Sequence, residues 1–153
     1  VIALRLLNHS GPGQDERFVA PSFAAQIARI EKGLAPAKLS VGNLDVERDF
    51  LDVDDVIDAY VATLALADQA KGFKLYNVAS GEPRSIASIL ERLIGLSTVK
   101  PEVERASGRV RSGEIRSTRC DTSAFRTRTG WRPTRDFDDT IAAILEWWRG
   151  RVA

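Results

Sequence analysis

The chain opens with Val-Ile-Ala-Leu-Arg-Leu-Leu at residues 1–7, followed by Asn-His-Ser-Gly-Pro-Gly-Gln at residues 8–14. The first stretch is apolar apart from Arg5, and it is too short and ends too abruptly for a helix, so we predict a buried strand. The glycines and the proline of the second stretch favour turns, so we predict a loop there. Open α/β sheets commonly place their ligands where such a strand ends in a loop.

Helical and extended patterns alternate downstream of this loop. Apolar spacing and capping residues predict helices at 18–32, from Asp52 to about Ala70, from Ser85 onward, between Asp121 and Gly130, and from Asp136 or Asp138 toward the C-terminus. Short strands are predicted at 38–41, 48–53 and 73–78, and residues 100–118 are irregular and basic. Strands that alternate with helices indicate an α/β fold with some parallel pairing. They are few, so we expect a thin sheet with one natural edge missing.

The composition excludes several classes of function. The 153 residues are 44% hydrophobic and 28% charged, as in one globular domain, and the net charge of +1 provides no overall field that would attract nucleic acid or an anionic membrane. No apolar run is long enough to cross a bilayer. Cys120 is the single cysteine, which indicates a reducing cytoplasm, and we expect it to be a small buried residue rather than a nucleophile. The chain has no methionine and starts in a strand, so we expect a piece of a longer protein.

Two residues near predicted strand ends are candidates for ligand binding. His9 is the only histidine, and a catalytic zinc normally needs three protein ligands, so a metal site is not expected. Its position alone favours a structural or solvent-facing role. Arg48 has the side chain best shaped to hold a phosphate at two points. An ion pair with Asp49 or Asp52 is at least as well supported by the spacing alone.

The basic segment offers a second candidate group. Arg109 and Arg111 are followed by Glu114, an arrangement that could hold phosphates through arginine and ribose hydroxyls through glutamate. A solvated basic loop is the alternative. Near the C-terminus, Trp147 and Trp148 point about 100° apart on a helix, so we predict that both serve packing.

Several catalytic motifs do not occur in this sequence. No strand is followed by a Gly-x-Gly-x-x-Gly turn, so the chain builds no pyrophosphate site of the dinucleotide-binding type. Neither a Tyr-x-x-x-Lys motif nor a nucleophile elbow, a P-loop or a metal-ligand spacing is present. We therefore expect no catalytic residue and no metal ligand in this chain.

Five groups of segments together resemble the C-terminal half of extended short-chain dehydrogenase/reductases that act on nucleotide sugars. They are Arg5-Leu-Leu-Asn-His-Ser-Gly-Pro-Gly-Gln14, Glu16-Arg-Phe-Val19 with Ala24-Ala-Gln-Ile-Ala-Arg-Ile30, Gly42-Asn-Leu-Asp-Val-Glu-Arg-Asp-Phe-Leu-Asp-Val-Asp-Asp-Val56, Tyr76-Asn-Val-Ala-Ser-Gly81 and Thr129-Gly-Trp-Arg-Pro133. The first and third are most similar to the GDP-mannose branch. They are nearer its 4-keto reductases than its 4,6-dehydratases, which tend to carry arginines where this chain has Gly13-Gln14.

The resemblance implies a fold and a division of labour. The fold is the C-terminal part of an NAD(P)-binding Rossmann-like architecture, comprising the last sheet strands and a small substrate-binding domain. Residues 1–153 would be the substrate-binding half, and the dinucleotide-binding half would be absent. That absent half would hold most of the NADP or NAD cofactor, with the backbone of Leu7 and the side chain of His9 beside it. Asn8 would hydrogen-bond the sugar diphosphate.

The remaining implied roles concern the nucleotide. Val19 and Ser22, at the start of a helix, would line the pocket for the base. Arg48 would bind a phosphate, and Arg111 with Glu114 would bind phosphate and ribose. Position alone favours a structural or solvent-facing His9 and supports an ion pair of Arg48 at least as well as phosphate binding. The resemblance instead favours a binding role for both residues.

The resemblance also implies a reaction. Hydride passes between a nicotinamide and C4 of the sugar, with a tyrosine as acid or base and a lysine that lowers its pKa. Both residues would lie in the absent half, so this chain alone should be inactive. The favoured reaction is reduction of the 4-keto group of GDP-4-dehydro-6-deoxy-D-mannose to a GDP-rhamnose-type product. A 4,6-dehydratase half, an epimerase half and a non-catalytic nucleotide-sugar binding fragment are alternatives. The expected partner is a GDP-sugar, and the full-length enzyme is expected to be a homodimer.

Overall fold

The computed structural model describes residues 1–66, 72–106 and 115–152, which form a mixed α/β fold. The strands are β1 Ile2–Leu6, β2 Asn8–Ser10, β3 Lys38–Val41, β4 Glu47–Asp52, β5 Lys74–Val78, β6 Pro83–Ser85 and β7 Glu102–Arg105. The helices are α1 Val19–Glu31, α2 Val53–Leu64, α3 Ile86–Leu96, α4 Ser123–Thr129 and α5 Phe137–Arg149. The predicted α/β class is confirmed.

The strands of the described part form three small sheets. β1 pairs in parallel with β5, and β3 pairs in parallel with β7. β4 lies between β2, with which it is parallel, and β6, with which it is antiparallel. β1 and β2 are separated only by Leu7 yet belong to different sheets, and the N–H of Leu7 donates to the carbonyl of Val78 at 3.2 Å. Leu7 is thus the point at which the chain passes from one sheet to the next.

Two hydrophobic clusters pack on opposite sides of β4. The larger unites α1, α3 and α5 and includes Phe50, which stacks on Phe137 with ring centroids 5.4 Å apart. The smaller lies under β1 and β5 and includes Leu51, Phe125 and Trp131. Successive side chains of a strand point to opposite faces, so neighbouring residues of β4 reach different clusters. β4 therefore holds the two halves of the described structure together.

Carboxylates and a hydroxyl start several helices as predicted. Asp52 accepts from the N–H of Asp54 and begins α2, and Ser85 accepts from Ser88 and begins α3. Asp136, rather than Asp138, is the residue that caps α5. No helix in the described ranges is long and apolar enough to cross a membrane.

Four predictions about elements were wrong in detail. Asn8–Ser10 is a strand rather than part of a loop, because its backbone completes the ladder of β4. Pro83–Ser85 is also a strand, at a sheet edge where proline, which lacks an N–H, is tolerated. Glu102–Arg105 is a strand inside the segment predicted to be irregular. Helix α2 ends at Leu64 rather than near Ala70; residues 67–71 lie outside the described ranges.

Candidate functional site

A cavity of about 1170 Å³ opens between the 8–14 segment, the first turns of α1 and strand β4. Each predicted site residue that the structure describes lines it: Leu7, Asn8, His9, Val19, Ser22 and Arg48. They come from three separate stretches of sequence. The parallel pairing of β2 with β4 brings Asn8 opposite Phe50 and His9 opposite Leu51, which places the first stretch beside Arg48.

The strand-end wall carries two exposed polar side chains. The amide nitrogen of Asn8 lies 3.3 Å from the backbone oxygen of Asp49, to which it donates. The Nδ1 atom of His9 lies 3.3 Å from the carbonyl oxygen of Leu7, a contact that requires a proton on Nδ1. In the neutral ring this leaves Nε2 as the acceptor. Both side chains are exposed, so a ligand in the cavity can reach them.

The helix wall is built by the start of α1. Val19 and Ser22 are half-buried, while Phe23 behind them is buried in the larger cluster. Gln26, one turn after Ser22, donates to the carbonyls of Ser22 and Ser40 at 3.2 Å and accepts from the N–H of Ser40 at 2.9 Å. It also lines the cavity, and sequence reasoning missed it. The i, i+4 spacing from Ser22 is the signal that would have found it.

Arg48 is held by backbone oxygens on the cavity wall. Its Nη1 atom donates to the carbonyls of Glu47 and Ile115, each at 2.7 Å. The two carboxylates considered as its ion-pair partners make other contacts. Asp49 accepts from two backbone N–H groups, and Asp52 caps α2 and accepts from Thr140. These carbonyl contacts help to orient the guanidinium on the cavity wall.

Asp49 is a buried residue whose role sequence reasoning missed. Only 1% of it is exposed, and its two carboxylate oxygens accept from Ser80 N–H at 2.8 Å and Gly81 N–H at 2.7 Å. Arg126 donates from Nη2 to the carbonyl of Ser80 at 2.7 Å. The turn after β5 is thus held by a carboxylate on one side and a guanidinium on the other. The backbone carbonyl of Asp49 also accepts from Asn8 on the site wall. Asp49 therefore connects the site wall to the turn that follows β5.

Two exposed ion pairs lie at the mouth of the cavity. Arg17 and Asp15 are 2.9 Å apart, and Arg29 and Glu16 are 2.7 Å apart. Hydrogen bonds from the backbone N–H and then the guanidinium of Arg17 hold the pKa of Asp15 below its usual value. Such exposed pairs contribute little to stability, so either arginine can exchange its partner for a ligand anion at small cost.

Three of the remaining predicted residues belong to the basic segment. Arg109, Arg111 and Glu114 lie at positions outside the described ranges, so their roles stay predictions. Cys120 is half-buried rather than fully buried. Burial and then the charge of Asp49 raise the pKa of its thiol, which does not suit a nucleophile.

The tryptophan pair serves packing as predicted. Trp148 packs against the larger cluster, and Trp147 meets it edge-on with ring centroids 5.0 Å apart. Arg151 lies over the outer ring, 5.0 Å from its centroid.

Most of the chain matches the model of a known family. The family model described as GDP-mannose 4,6 dehydratase matches residues 1–144. The chain belongs to the GDP-mannose 4,6 dehydratase family. This family lies within the extended short-chain dehydrogenases/reductases, so the resemblance stated from the sequence motifs is confirmed.

Curated relatives of this family member include enzymes of different activities. The chain is 40% identical over 152 residues to the GDP-6-deoxy-D-mannose reductase of Pseudomonas aeruginosa, covering 99% of this chain and 49% of the reductase. It is 35% identical over 146 residues to the dTDP-L-rhamnose 4-epimerase of Burkholderia thailandensis, covering 94% of this chain and 38% of the epimerase. The chain thus spans about half the length, or less, of these relatives.

Solved structures agree with the predicted fold. The NADPH complex of RMD from Pseudomonas aeruginosa superposes with a TM-score of 0.87 at 38% identity, covering 99% of this chain and 49% of RMD. The NAD complex of UDP-glucose 4-epimerase from Thermus thermophilus superposes with a TM-score of 0.74 at 30% identity, covering 99% of this chain and 47% of the epimerase. The fold is therefore that of the C-terminal part of an NAD(P)-binding extended short-chain dehydrogenase/reductase.

Proposed function

We propose that this chain supplies the sugar-nucleotide site of an NAD(P)-dependent enzyme that reduces the 4-keto group of GDP-4-dehydro-6-deoxy-D-mannose. The observation that carries the proposal is that the six described residues predicted from the sequence motifs to bind substrate or cofactor line one cavity. Its volume exceeds the range of about 300–1,000 Å³ that is usual for small-ligand sites. A nucleotide sugar beside a nicotinamide is a ligand of that size. The 40% identity to a GDP-6-deoxy-D-mannose reductase supports the same activity.

The predicted site residues have separate roles in this proposal. Asn8 and Arg48 bind the diphosphate, and Val19 with Ser22 lines the space for the base. Arg111 and Glu114 complete the proposed contacts to phosphate and ribose. These contacts hold the keto carbon at a fixed distance from the cofactor, and such positioning can contribute several kcal/mol to the barrier reduction.

The cofactor NADP or NAD fits the strand-end wall of the cavity. The Leu7 backbone lies where β1 ends, and His9 presents an exposed ring beside it. When bound, the reduced nicotinamide supplies the hydride that the 4-keto carbon accepts. This chain's residues orient the acceptor; the tyrosine and lysine that move the proton belong to the dinucleotide-binding half.

We propose that the dinucleotide-binding half packs against β1 and α2. Among the described residues β1 pairs only with β5, whereas parallel strands are normally flanked and covered on both faces. On α2, the apolar side chains of Ile57, Tyr60, Val61 and Leu64 are each at least half exposed and share one face at helical spacing. The homodimer and the cytoplasmic location implied by the sequence are part of this proposal, and sedimentation of the complete enzyme tests the former.

A 4-epimerase is the second candidate, supported by 35% identity to the dTDP-L-rhamnose 4-epimerase. The two activities differ in whether they consume reduced nicotinamide. A reductase consumes one reduced nicotinamide per sugar and releases it oxidised, whereas an epimerase returns the cofactor to its starting state. Absorbance of reduced nicotinamide during turnover by the complete enzyme therefore separates them.

Calorimetric titration of the 153-residue chain with GDP and with UDP tests the binding proposal. We expect GDP to bind at least tenfold more tightly than UDP. Arg48→Gln should weaken the binding of GDP by roughly tenfold, because it removes a charged contact to the phosphate. Arg92→Gln is the matched control, since Arg92 is exposed on α3 and pairs with Asp138 away from the cavity. Absence of GDP binding at millimolar concentration, or tighter binding of UDP, would contradict the proposal.

A further inference from the structure

Gly11 occupies a position at which the next larger residue does not fit. It is buried, and its φ is not positive, so a left-handed backbone is not the reason for glycine here. A Cβ atom at this position would lie 2.6 Å from Cγ1 and 3.3 Å from Cβ of Val53, the first residue of α2. A valine side chain is stiff at χ1, so it cannot easily turn away. Adding one methyl group must therefore move either the 8–14 segment or the start of α2.

The start of α2 is firmly anchored and will not yield easily. Asp55 is 1% exposed, and its Oδ1 atom accepts from Thr134 N–H at 3.0 Å and from Arg135 Nη1 at 2.9 Å. Its backbone carbonyl accepts from Trp131 Nε1 at 3.2 Å. One residue before the helix, Asp52 accepts from the hydroxyl of Thr140 at 2.6 Å. Moving α2 would break several of these bonds at buried or half-buried groups, which is costly.

The 8–14 segment is the side that yields, because its pairing with β4 involves only Asn8–Ser10 and Gly11 lies beyond that ladder. The N–H of Gln14 donates to the carbonyl of Gly11 at 3.3 Å, and the side-chain amide of Gln14 donates to the carbonyl of His9 at 3.2 Å. The hydroxyl of Ser10 donates to Gln14 Oε1 at 2.6 Å. These bonds close a ring between Gly11 and His9. A displacement at Gly11 is therefore transmitted to the side chain that faces the cavity.

We propose that the contact between Gly11 and Val53 sets the position of the 8–14 segment, so that both are positioning residues for Asn8 and His9. The absence of a side chain at Gly11 lets the segment sit against the anchored first turn of α2. The ligand-binding consequence rests on the proposed function, whereas the geometric claim does not.

Two-dimensional NMR of the ligand-free chain tests the geometry directly. In Gly11→Ala we expect the amide signals of His9 and Gln14 to shift, and the indole signal of Trp131, which reports on α2, to stay in place. Adding Val53→Ala should return the His9 signal toward its original position, because it removes the methyl group that the new Cβ meets. Gly95→Ala is the control, since a Cβ there has nothing within 4 Å.

Titration of the same variants with GDP tests the consequence for binding. We expect Gly11→Ala to weaken binding at least tenfold and the double variant to recover to within about threefold of the original affinity. Val53→Ala removes packed methyl groups, so the double variant should remain less thermally stable than the original chain while it binds better than Gly11→Ala. A purely structural role cannot produce these opposite changes.

The outcomes separate this inference from the proposed function. If the original chain does not bind GDP, the proposed function fails, and the NMR shifts still decide the geometric claim. If Gly11→Ala alone does not fold, recovery of folded protein by Val53→Ala supports the contact. Movement of the Trp131 signal in place of the His9 signal, or a double variant no better than Gly11→Ala, overturns the inference.

Discussion

At the scale of single residues, Asp49 shows how a buried charge can be satisfied by backbone alone. Its carboxylate accepts two N–H groups from the turn after β5, one on each oxygen. Hydrogen bonds to an ionised acceptor contribute about 1.5–3 kcal/mol, roughly twice a neutral bond. A single side chain of β4 therefore fixes the turn that connects β5 of one sheet to β6 of another.

Replacing Asp49 by Asn should be costly because the amide offers only one acceptor oxygen. One of the two N–H groups, on Ser80 or Gly81, then faces an NH₂ group, and we expect the free energy of unfolding to fall by about 2 kcal/mol. Urea denaturation followed by fluorescence measures it. Asp45→Asn is the matched control, because Asp45 is exposed and its ion pair with Arg105 is long, at 3.7 Å. We expect the free energy of unfolding to change by less than about 0.5 kcal/mol in this variant. Equal losses in both variants would contradict this account.

The site residues differ in how far sequence could predict them. The strand-end position of His9 and the charge of Arg48 mark both as candidates, and only the resemblance to the family assigns them the cofactor and phosphate roles that we propose. Asp49 was considered only as an ion-pair partner of its neighbour. Its partners are backbone N–H groups about 30 residues away. Every residue other than proline has such a group, so the amino-acid sequence does not show which of them Asp49 will bind.

At the scale of elements, one ion pair joins three helices. The Arg149 guanidinium on α5 donates to both carboxylate oxygens of Glu31 on α1, each at 2.7 Å, and to the carbonyl of Leu96 at the end of α3 at 2.9 Å. The hydrogen bonds from Arg149, with smaller help from Thr98 N–H, lower the pKa of Glu31 to about 2 from its usual 4.5. The pair thus binds the helices of the larger cluster at their ends.

This pair should make stability depend on pH in the acid range. The pKa of Glu31 is lower in the folded than in the unfolded chain, so its ionised carboxylate stabilises the fold fully above about pH 4.5. This contribution is lost as the pH falls toward 2. We expect a loss of about 3 kcal/mol from Glu31 across this window, measured by urea unfolding at successive pH values. Glu31→Gln should flatten the curve. The control Glu146→Gln removes an exposed partner of the same Arg149 and should leave the slope nearly unchanged.

The elements that sequence missed share a physical cause. Asn8–Ser10 is mostly exposed and Glu102–Arg105 is exposed throughout, so neither shows the apolar alternation that marks a half-buried strand. Pro83–Ser85 contains the residue that normally argues against a strand. Each of these strands exists because a partner strand offers backbone hydrogen bonds. The helices, by contrast, carry apolar faces and capping residues that are local in sequence.

At the scale of the whole molecule, α2 carries an apolar face that no described residue covers. Its four exposed side chains lie on the helix that also anchors Gly11. Contiguous exposed apolar surface of this kind marks an interaction site or an aggregation risk. A partner that covers the apolar face of α2 would therefore also stabilise the helix whose first residue contacts Gly11.

We expect the 153-residue chain to self-associate through this face when it is alone. Val61→Lys combined with Leu64→Lys should shift it to the monomer at concentrations of about 10–100 μM, because burying two ammonium groups opposes contact. Sedimentation velocity measures the change. Leu34→Lys serves as control, since this residue is also more than half exposed but lies beyond α1 and off the α2 face. If the control disperses the chain as well as the double substitution does, the α2 face is not the contact.

The parallel pairing of β1 with β5 has a consequence for the order of events during synthesis. Ile2 pairs with Lys74, so β1 leaves the ribosome about 70 residues before β5, the strand with which it pairs among the described residues. At about 5–20 residues per second this interval lasts several seconds, and closing so long a loop also slows folding in the test tube. Nascent chains released before β5 emerges should therefore expose this edge of β1 to pairing with a neighbouring polypeptide.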